Sequence, residues 1–277
     1  MYCKGRSCAK RIGFYLFRVI LKNNLSIIAA IAAFVGGAQG ISAGPIGAPR
    51  YNDLILQQIR TMPQGGRYST SSYATGRLRA ALSLESGRLL ISPELASPSY
   101  CSGATYLVFV KTIETLRARG ALALPPESLE SLLVRGQRDG QGVWGRWNAN
   151  GPGTARLFYQ LNLGQNFDDF AEAQPGDFLK IFWSSEVGRA ERGHSVIYLG
   201  TERKAGVDYV RFWSSNTPAG YGEKSVPRAK IVHAIFSRLD APQNLDQAVA
   251  AAAMDKYLAS LVATRSSYEE AKGKCGM

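Results

Sequence analysis

The chain has 277 residues, 45% of them hydrophobic, and a formal charge of +12 from 33 Lys and Arg against 21 Asp and Glu. Two His and four Cys without zinc-ligand spacing, and no phosphate-binding glycine fingerprint after a strand, exclude zinc modules, P-loop enzymes and dinucleotide enzymes. Gly193-His194-Ser195 is no nucleophile elbow, and no Lys/Arg run or recognised motif turns the basic balance into a nucleic-acid site, so the charge fits an anionic polymer or simply a soluble surface.

Residues 1–43 read as an export signal. Lys4, Arg6, Lys10, Arg11, Arg18 and Lys22 form a basic start without an acid, and residues 25–35 are an apolar run of signal length, too short for a span. Small residues follow, with cleavage expected after Gly40 or Ala43; an uncleaved anchor, the one membrane contact expected, is the alternative. Six of the basic residues lie in this segment, so its loss leaves +6 and two cysteines, Cys101 and Cys275. That is no disulfide framework. Cys275 reads as a frayed-tail bystander.

Residues 44–96 read as an N-terminal extension packed on the core: a helix over 51–62 ended by Pro63, a Gly/Ser-rich loop over 64–73, a helical pattern over 77–84 and a short strand at 89–91. Tyr68, in that loop, is placed to hydrogen-bond substrate at a cleft wall. The core is set at 97–240. Leu107, Val110, Ile113 and Leu116 recur at helical spacing, and no Pro or Gly falls between Ala104 and Arg119, which predicts a helix beginning just after Cys101.

Residues 143–154 read as a loop holding Trp144 and Trp147 among Gly and Asn. Such rings stack on sugar or peptide while the amides orient it, so Trp147 is a candidate substrate contact, with a core plug as the plain alternative. A short helix over 155–163 follows. Asp177, after Pro175-Gly176, reads as a structural turn residue, and His233 as a strand residue with its ring packed. From Asn244 the pattern is helical, so residues 241–277 are expected to be a C-terminal helix.

Chemistry concentrates at Cys101. At a helix start, unpaired N–H groups and the helix dipole favour a thiolate, and a nearby imidazolium lowers the thiol further. Of the two histidines, His194 opens a strand-like run, Gly193-His194-Ser195-Val196-Ile197-Tyr198-Leu199-Gly200, and the next strand ends in Asn216, whose amide suits the third group that holds a catalytic imidazole. Ser214 and Ser215 compete for that place.

Tyr100-Cys101-Ser102-Gly103 before a helix, Gln174-Pro175-Gly176-Asp177 entering a strand, and Gly193-His194 with Ile197-Tyr198-Leu199-Gly200 together resemble the NlpC-type cell-wall cysteine peptidases, from about Pro98 to Asn216. The resemblance implies an α+β papain-like core, the nucleophile helix packed on an antiparallel β-sheet. It implies Cys101 as nucleophile, His194 as base and Asn216 as the orienting residue, which would fix the imidazole through Nδ1; Tyr100 and Ser102, beside the nucleophile, are candidate substrate contacts. Tyr100 stands where the family usually carries Asp, an acid associated with the substrate's amino group.

The expectation is an exported cysteine hydrolase, periplasmic or secreted, that cleaves amide bonds in peptidoglycan stem peptides through a thioester. It needs neither metal nor cofactor and has no nucleic-acid partner. The Cys101 N–H would be one oxyanion donor, worth about 3 kcal/mol. Acyl transfer on the same dyad and a non-catalytic wall-binding module are the alternatives.

Overall fold

The computed structural model describes residues 51–277, so the expected export signal lies outside the described residues. Eight helices among them are α1 (Tyr51–Arg60), α2 (Ser72–Ala80), α3 (Cys101–Ala118), α4 (Pro126–Ser131), α5 (Gly142–Asn148), α6 (Gly153–Gln160), α7 (Lys256–Ser260) and α8 (Tyr268–Lys274). The strands are β1 (Gly65–Gly66), β2 (Leu82–Glu85), β3 (Arg88–Ile91), β4 (Gly164–Phe167), β5 (Phe178–Phe182), β6 (Val187–Gly188), β7 (Gly193–Lys204), β8 (Val207–Asn216), β9 (Gly220–Pro227), β10 (His233–Leu239) and β11 (Arg265–Ser266). Seven of them form one antiparallel sheet in the order β1-β9-β8-β7-β5-β10-β4. The class is α+β.

The sheet is apolar on both faces because its central strands alternate two apolar sets. Phe178, Ile197 and Trp213 join Leu107, Phe109 and Val110 of α3 in the main core. Leu179, Ile181, Val196, Tyr198, Phe212 and Phe236 make a second core on the other face, over which Phe167 and Phe170 close. The helix α3 packs on β7 and β8, with α1, α5 and β3 also against it. It therefore reads as apolar nearly all round, as a helix buried on most sides must. Among the described residues no helix is long and apolar enough to cross a membrane.

Four local expectations are corrected. The helical pattern over 77–84 ends at Ala80, and Leu82–Glu85 pairs with Arg88–Ile91 as a hairpin. Ser86 and Gly87 both take positive φ, +49° and +74°, the conformation that a two-residue hairpin turn demands. Residues 143–154 are not a loop but α5, a tight turn and the start of α6, with Trp144 and Trp147 facing inward. The C-terminal part is not one helix: a 3-10 stretch (Pro242–Ala252) ends in extended backbone at Ala253, Asp255 caps α7 by accepting from Leu258 N at 2.8 Å, and β11 pairs with β6 before α8.

Cys275, lastly, is no frayed bystander. It is 1% exposed and packs with Ala155, Phe182, Val187 and Ile235.

The extension before the core does more than pack on it, since β1 adds a strand to the sheet edge against β9. A side chain at Gly220 would run into the Gly65 carbonyl, so glycine there is what lets the two backbones meet. Asp177 is structural, as expected. Fully buried after its turn, it accepts from Asn52 Nδ2 at 2.8 Å, Gln174 N at 2.7 Å and Arg238 Nη2 at 2.7 Å. His233 stacks on Tyr268 with centroids 4.0 Å apart.

Candidate active site

Cys101 is the first residue of α3, after an extended Tyr100 at φ −139°. No side chain caps the helix, and the first backbone N–H paired along it is that of Ala104, which donates to the Tyr100 carbonyl at 2.9 Å. The N–H groups of Cys101, Ser102 and Gly103 have no acceptor among the described residues. This is the electropositive start that stabilises a thiolate and, one bond on, an oxyanion.

Three segments distant in sequence are knitted around that start. Ser99 and Tyr68 form an isolated parallel bridge, with Ser69 N donating to the Ser99 carbonyl at 2.9 Å. Ser99 Oγ donates to Ser215 Oγ at 2.8 Å, which ties the loop before Cys101 to the strand end that carries Asn216. Tyr68 N donates to the Pro218 carbonyl at 3.0 Å, just beyond Asn216.

His194 and Asn216 come together through strand register. β7 and β8 pair Ile197 with Trp213, and carrying that register back toward Gly193 sets His194 across from Asn216. The Nε2 of His194 lies 3.1 Å from Asn216 Oδ1. Asn216 Nδ2 donates to the carbonyls of Ser214 at 3.2 Å and Gly222 at 2.8 Å, which fixes the amide with its oxygen toward the ring. Nε2 therefore carries a proton, and the expected hold through Nδ1 is corrected: Nδ1 is the nitrogen left for the sulfur.

Ser214 and Ser215 do not compete for the imidazole. Ser214 Oγ donates to the Ser195 carbonyl at 2.7 Å, and Ser215 is engaged by Ser99.

The thiol is tuned accordingly. Burial is the largest single effect and opposes the thiolate, but the hydrogen bond and charge of His194, the Ser195 N–H and Lys180 together outweigh it and lower Cys101 to about 6. Tyr68 also borders the sulfur, its hydroxyl pushed well up by burial and by the charge of and hydrogen bond to Cys101. Cys275 is the opposite case, a thiol driven up to about 12 by burial.

The remaining candidates divide. Tyr100 and Ser102 both line a cleft of about 330 Å³ beside Cys101. Tyr100 is largely buried against Trp144, at 6.3 Å between centroids, and its hydroxyl reaches Thr75 Oγ1 at 3.4 Å. Ser102 donates to Asn148 Oδ1 at 2.6 Å, so it positions that amide.

Trp147 is corrected. It is 1% exposed, stacks on Phe109 at 4.8 Å, and its Nε1 donates to Thr105 Oγ1 at 3.2 Å, so no face is left for a ligand. The pairing of rings with amides at 143–150 was real, but the helix sends the rings inward and leaves Asn148 and Asn150 on the cleft.

Residue-by-residue reading also missed Asp139, Lys180 and Glu191, which line the same cleft. Lys180 Nζ meets Glu191 Oε1 at 2.6 Å, with little of either side chain exposed. A Cβ on Gly193 would come within 2.8 Å of Lys180 Nζ, so the glycine before His194 makes room for this pair. The available signal was Lys180 as the lone charge in the apolar strand Phe178–Phe182. Among the described residues no group of three or more His, Cys, Asp or Glu converges on a metal position.

Comparison with protein-family models, with curated proteins and with solved structures gave no match to this chain. The functional reading accordingly stands on the site's own chemistry.

Proposed function

We propose that this chain is an exported cysteine hydrolase of amide bonds, with an NlpC-type papain-like core and peptidoglycan stem peptides as substrate. The observation that carries the reading is the action of the His194 imidazole on the Cys101 thiol at a helix start, with an Asn216 whose amide is locked toward the same imidazole. A structural cysteine has no use for a lowered pKa and an oriented base.

In this mechanism the Cys101 thiolate attacks the scissile carbonyl carbon, forming a C–S bond while the carbonyl electrons move to oxygen. The free N–H groups at the start of α3 receive that oxyanion. His194 then delivers the Nδ1 proton to the leaving nitrogen as the C–N bond breaks, leaving a thioester and a free amine. Water attacks the thioester, His194 takes up its proton, and the departing sulfur restores the thiolate–imidazolium pair.

The test is digestion of purified peptidoglycan, with new amines and mass-resolved fragments as the readout. Fragments released by the wild type and absent with Cys101→Ala support the reading. Identical digests from the two proteins would reject it.

A further inference from the structure

We propose that the cleft selects its peptide by opposite charges on the two sides of the scissile bond, an ammonium on the acyl side facing Asp139 and a carboxylate on the leaving-amine side facing Lys224. The proposal rests on the hydrolase reading above and adds the polarity of the substrate.

Two hollows meet at Tyr68 and Gly193, which line both. The first, beside Cys101, holds three charged side chains: Asp139, Lys180 and Glu191. Lys180 and Glu191 neutralise each other, and the second Glu191 oxygen accepts from Gly151 N at 2.6 Å and Gly188 N at 2.9 Å. Asp139 has no such partner. One of its oxygens accepts only from Asn150 N, at a long 3.3 Å, and no cation pairs with it among the described residues. Burial pushes its carboxyl up, against the opposing pull of the Asn150 N–H and Lys180. This hollow thus holds one carboxyl group without an ion-pair partner among the described residues, a place that a ligand cation would fill.

The second hollow, of about 240 Å³ beside His194, has a different wall. Trp183 and Phe212 flank the imidazole at 6.4 and 5.6 Å between centroids, and Val226 extends the apolar surface. Its one fixed charge is Lys224, which pairs with Phe212 across the β8–β9 ladder and so stands on the same face. No acid pairs with Lys224 among the described residues, while its neighbour Glu223 is engaged by Arg211 at 3.1 Å.

The chemistry assigns the halves of the substrate. His194 must hand its proton to the leaving nitrogen, so the amine half lies in the hollow lined by His194, Trp183 and Lys224. The acyl oxygen needs the free N–H groups at the start of α3, so the acyl half lies with Cys101, Ser102 and Asp139. A peptide with its charges the other way round would set like charges together at both ends.

The test uses soluble stem-peptide fragments of purified peptidoglycan in four forms: untreated, amine-acetylated, carboxyl-amidated and doubly blocked. For the wild type, each single block is expected to lower kcat/KM by about ten-fold, the size of one hydrogen-bonded charge contact. Asp139→Asn should lose discrimination against acetylation alone, and Lys224→Gln against amidation alone. Asp139→Glu and Lys224→Arg should keep both. Cleavage at equal rates for all four forms, or unchanged discrimination in both neutral variants, would overturn the charge assignment and leave the hydrolase standing. No cleavage of any form by the wild type would overturn the hydrolase reading, and the polarity with it.

Discussion

Asn216 Oδ1 sits 3.1 Å from His194 Nε2, and the same amide is anchored on its nitrogen by the carbonyls of Ser214 and Gly222. A residue at the end of one strand thereby decides which nitrogen of a neighbouring strand's imidazole can move a proton. Nε2 is held as the donor to Asn216, and Nδ1 is the nitrogen left to face the sulfur.

Asn216→Ala should release that hold. The imidazole keeps its acid–base capacity but loses its tautomer and direction. Peptidoglycan turnover is expected to fall by on the order of 10²-fold in kcat, with KM little changed, the low end of what a positioned general base supplies. Fragment release followed over time measures it, and an unchanged kcat would remove Asn216 from the site.

Alkylation of Cys101 against pH reads the dyad directly. With the thiol lowered to about 6, the thiolate is populated above that pH and lost below it, so the rate should reach half its plateau near pH 6. In His194→Ala the opposing effect of burial prevails, and the midpoint should move above that of an ordinary thiol, about 8.5. Lys180→Met should shift it upward by less, because the Lys180 charge contributes less than His194 does. A wild-type midpoint near that of a free thiol, insensitive to His194→Ala, would break the pair.

Cys275 supplies an internal control. Buried at 1% exposure and driven up to about 12, it should resist iodoacetamide in the native protein up to pH 9 and react once guanidinium unfolds the chain. Mass spectrometry of the two peptides separates the sites. Native labelling of Cys275 at neutral pH would mean that the tail does not dock as described.

Trp147 should behave as a core residue and not as a platform. Trp147→Ala removes the ring between Phe109, Phe158 and Phe178 and is expected to cost about 3–5 kcal/mol in chemical denaturation. Trp147→Phe should restore much of that stability while Cys101 alkylation keeps its midpoint. Wild-type stability in Trp147→Ala, with substrate binding lost, would return the residue to the cleft.

Periodicity and local chemistry carried much of this molecule into view from the chain alone. The run Leu107, Val110, Ile113 and Leu116 placed the central helix, and the residues at its start made Cys101 the thiol to examine. Gly193-His194 and the strand ending in Asn216 put the other two groups on adjacent strands. These are local statements, and spacing along the chain is enough to make them.

Where apolar surface had two uses, the chain was silent on which one prevailed. Trp147 in a Gly- and Asn-rich stretch suits a stacking platform or a core plug equally well, and only the packing of Phe109 and Phe178 against it settled the matter. The turn at Ser86-Gly87 was legible as hairpin chemistry, but the helical spacing of the preceding residues masked it. Asp139, Lys180 and Glu191 carry no motif, and they share a cleft only because β5, the approach to β7 and the turn before α5 converge beside Cys101. The choice between Nδ1 and Nε2 lay further still from the sequence. It depends on two backbone carbonyls, Ser214 and Gly222, whose direction exists only once β8 and β9 are paired. The chain by itself determined which side chains could do chemistry. Tertiary structure decided which atoms of them meet, because hydrogen-bond direction and burial belong to the folded backbone.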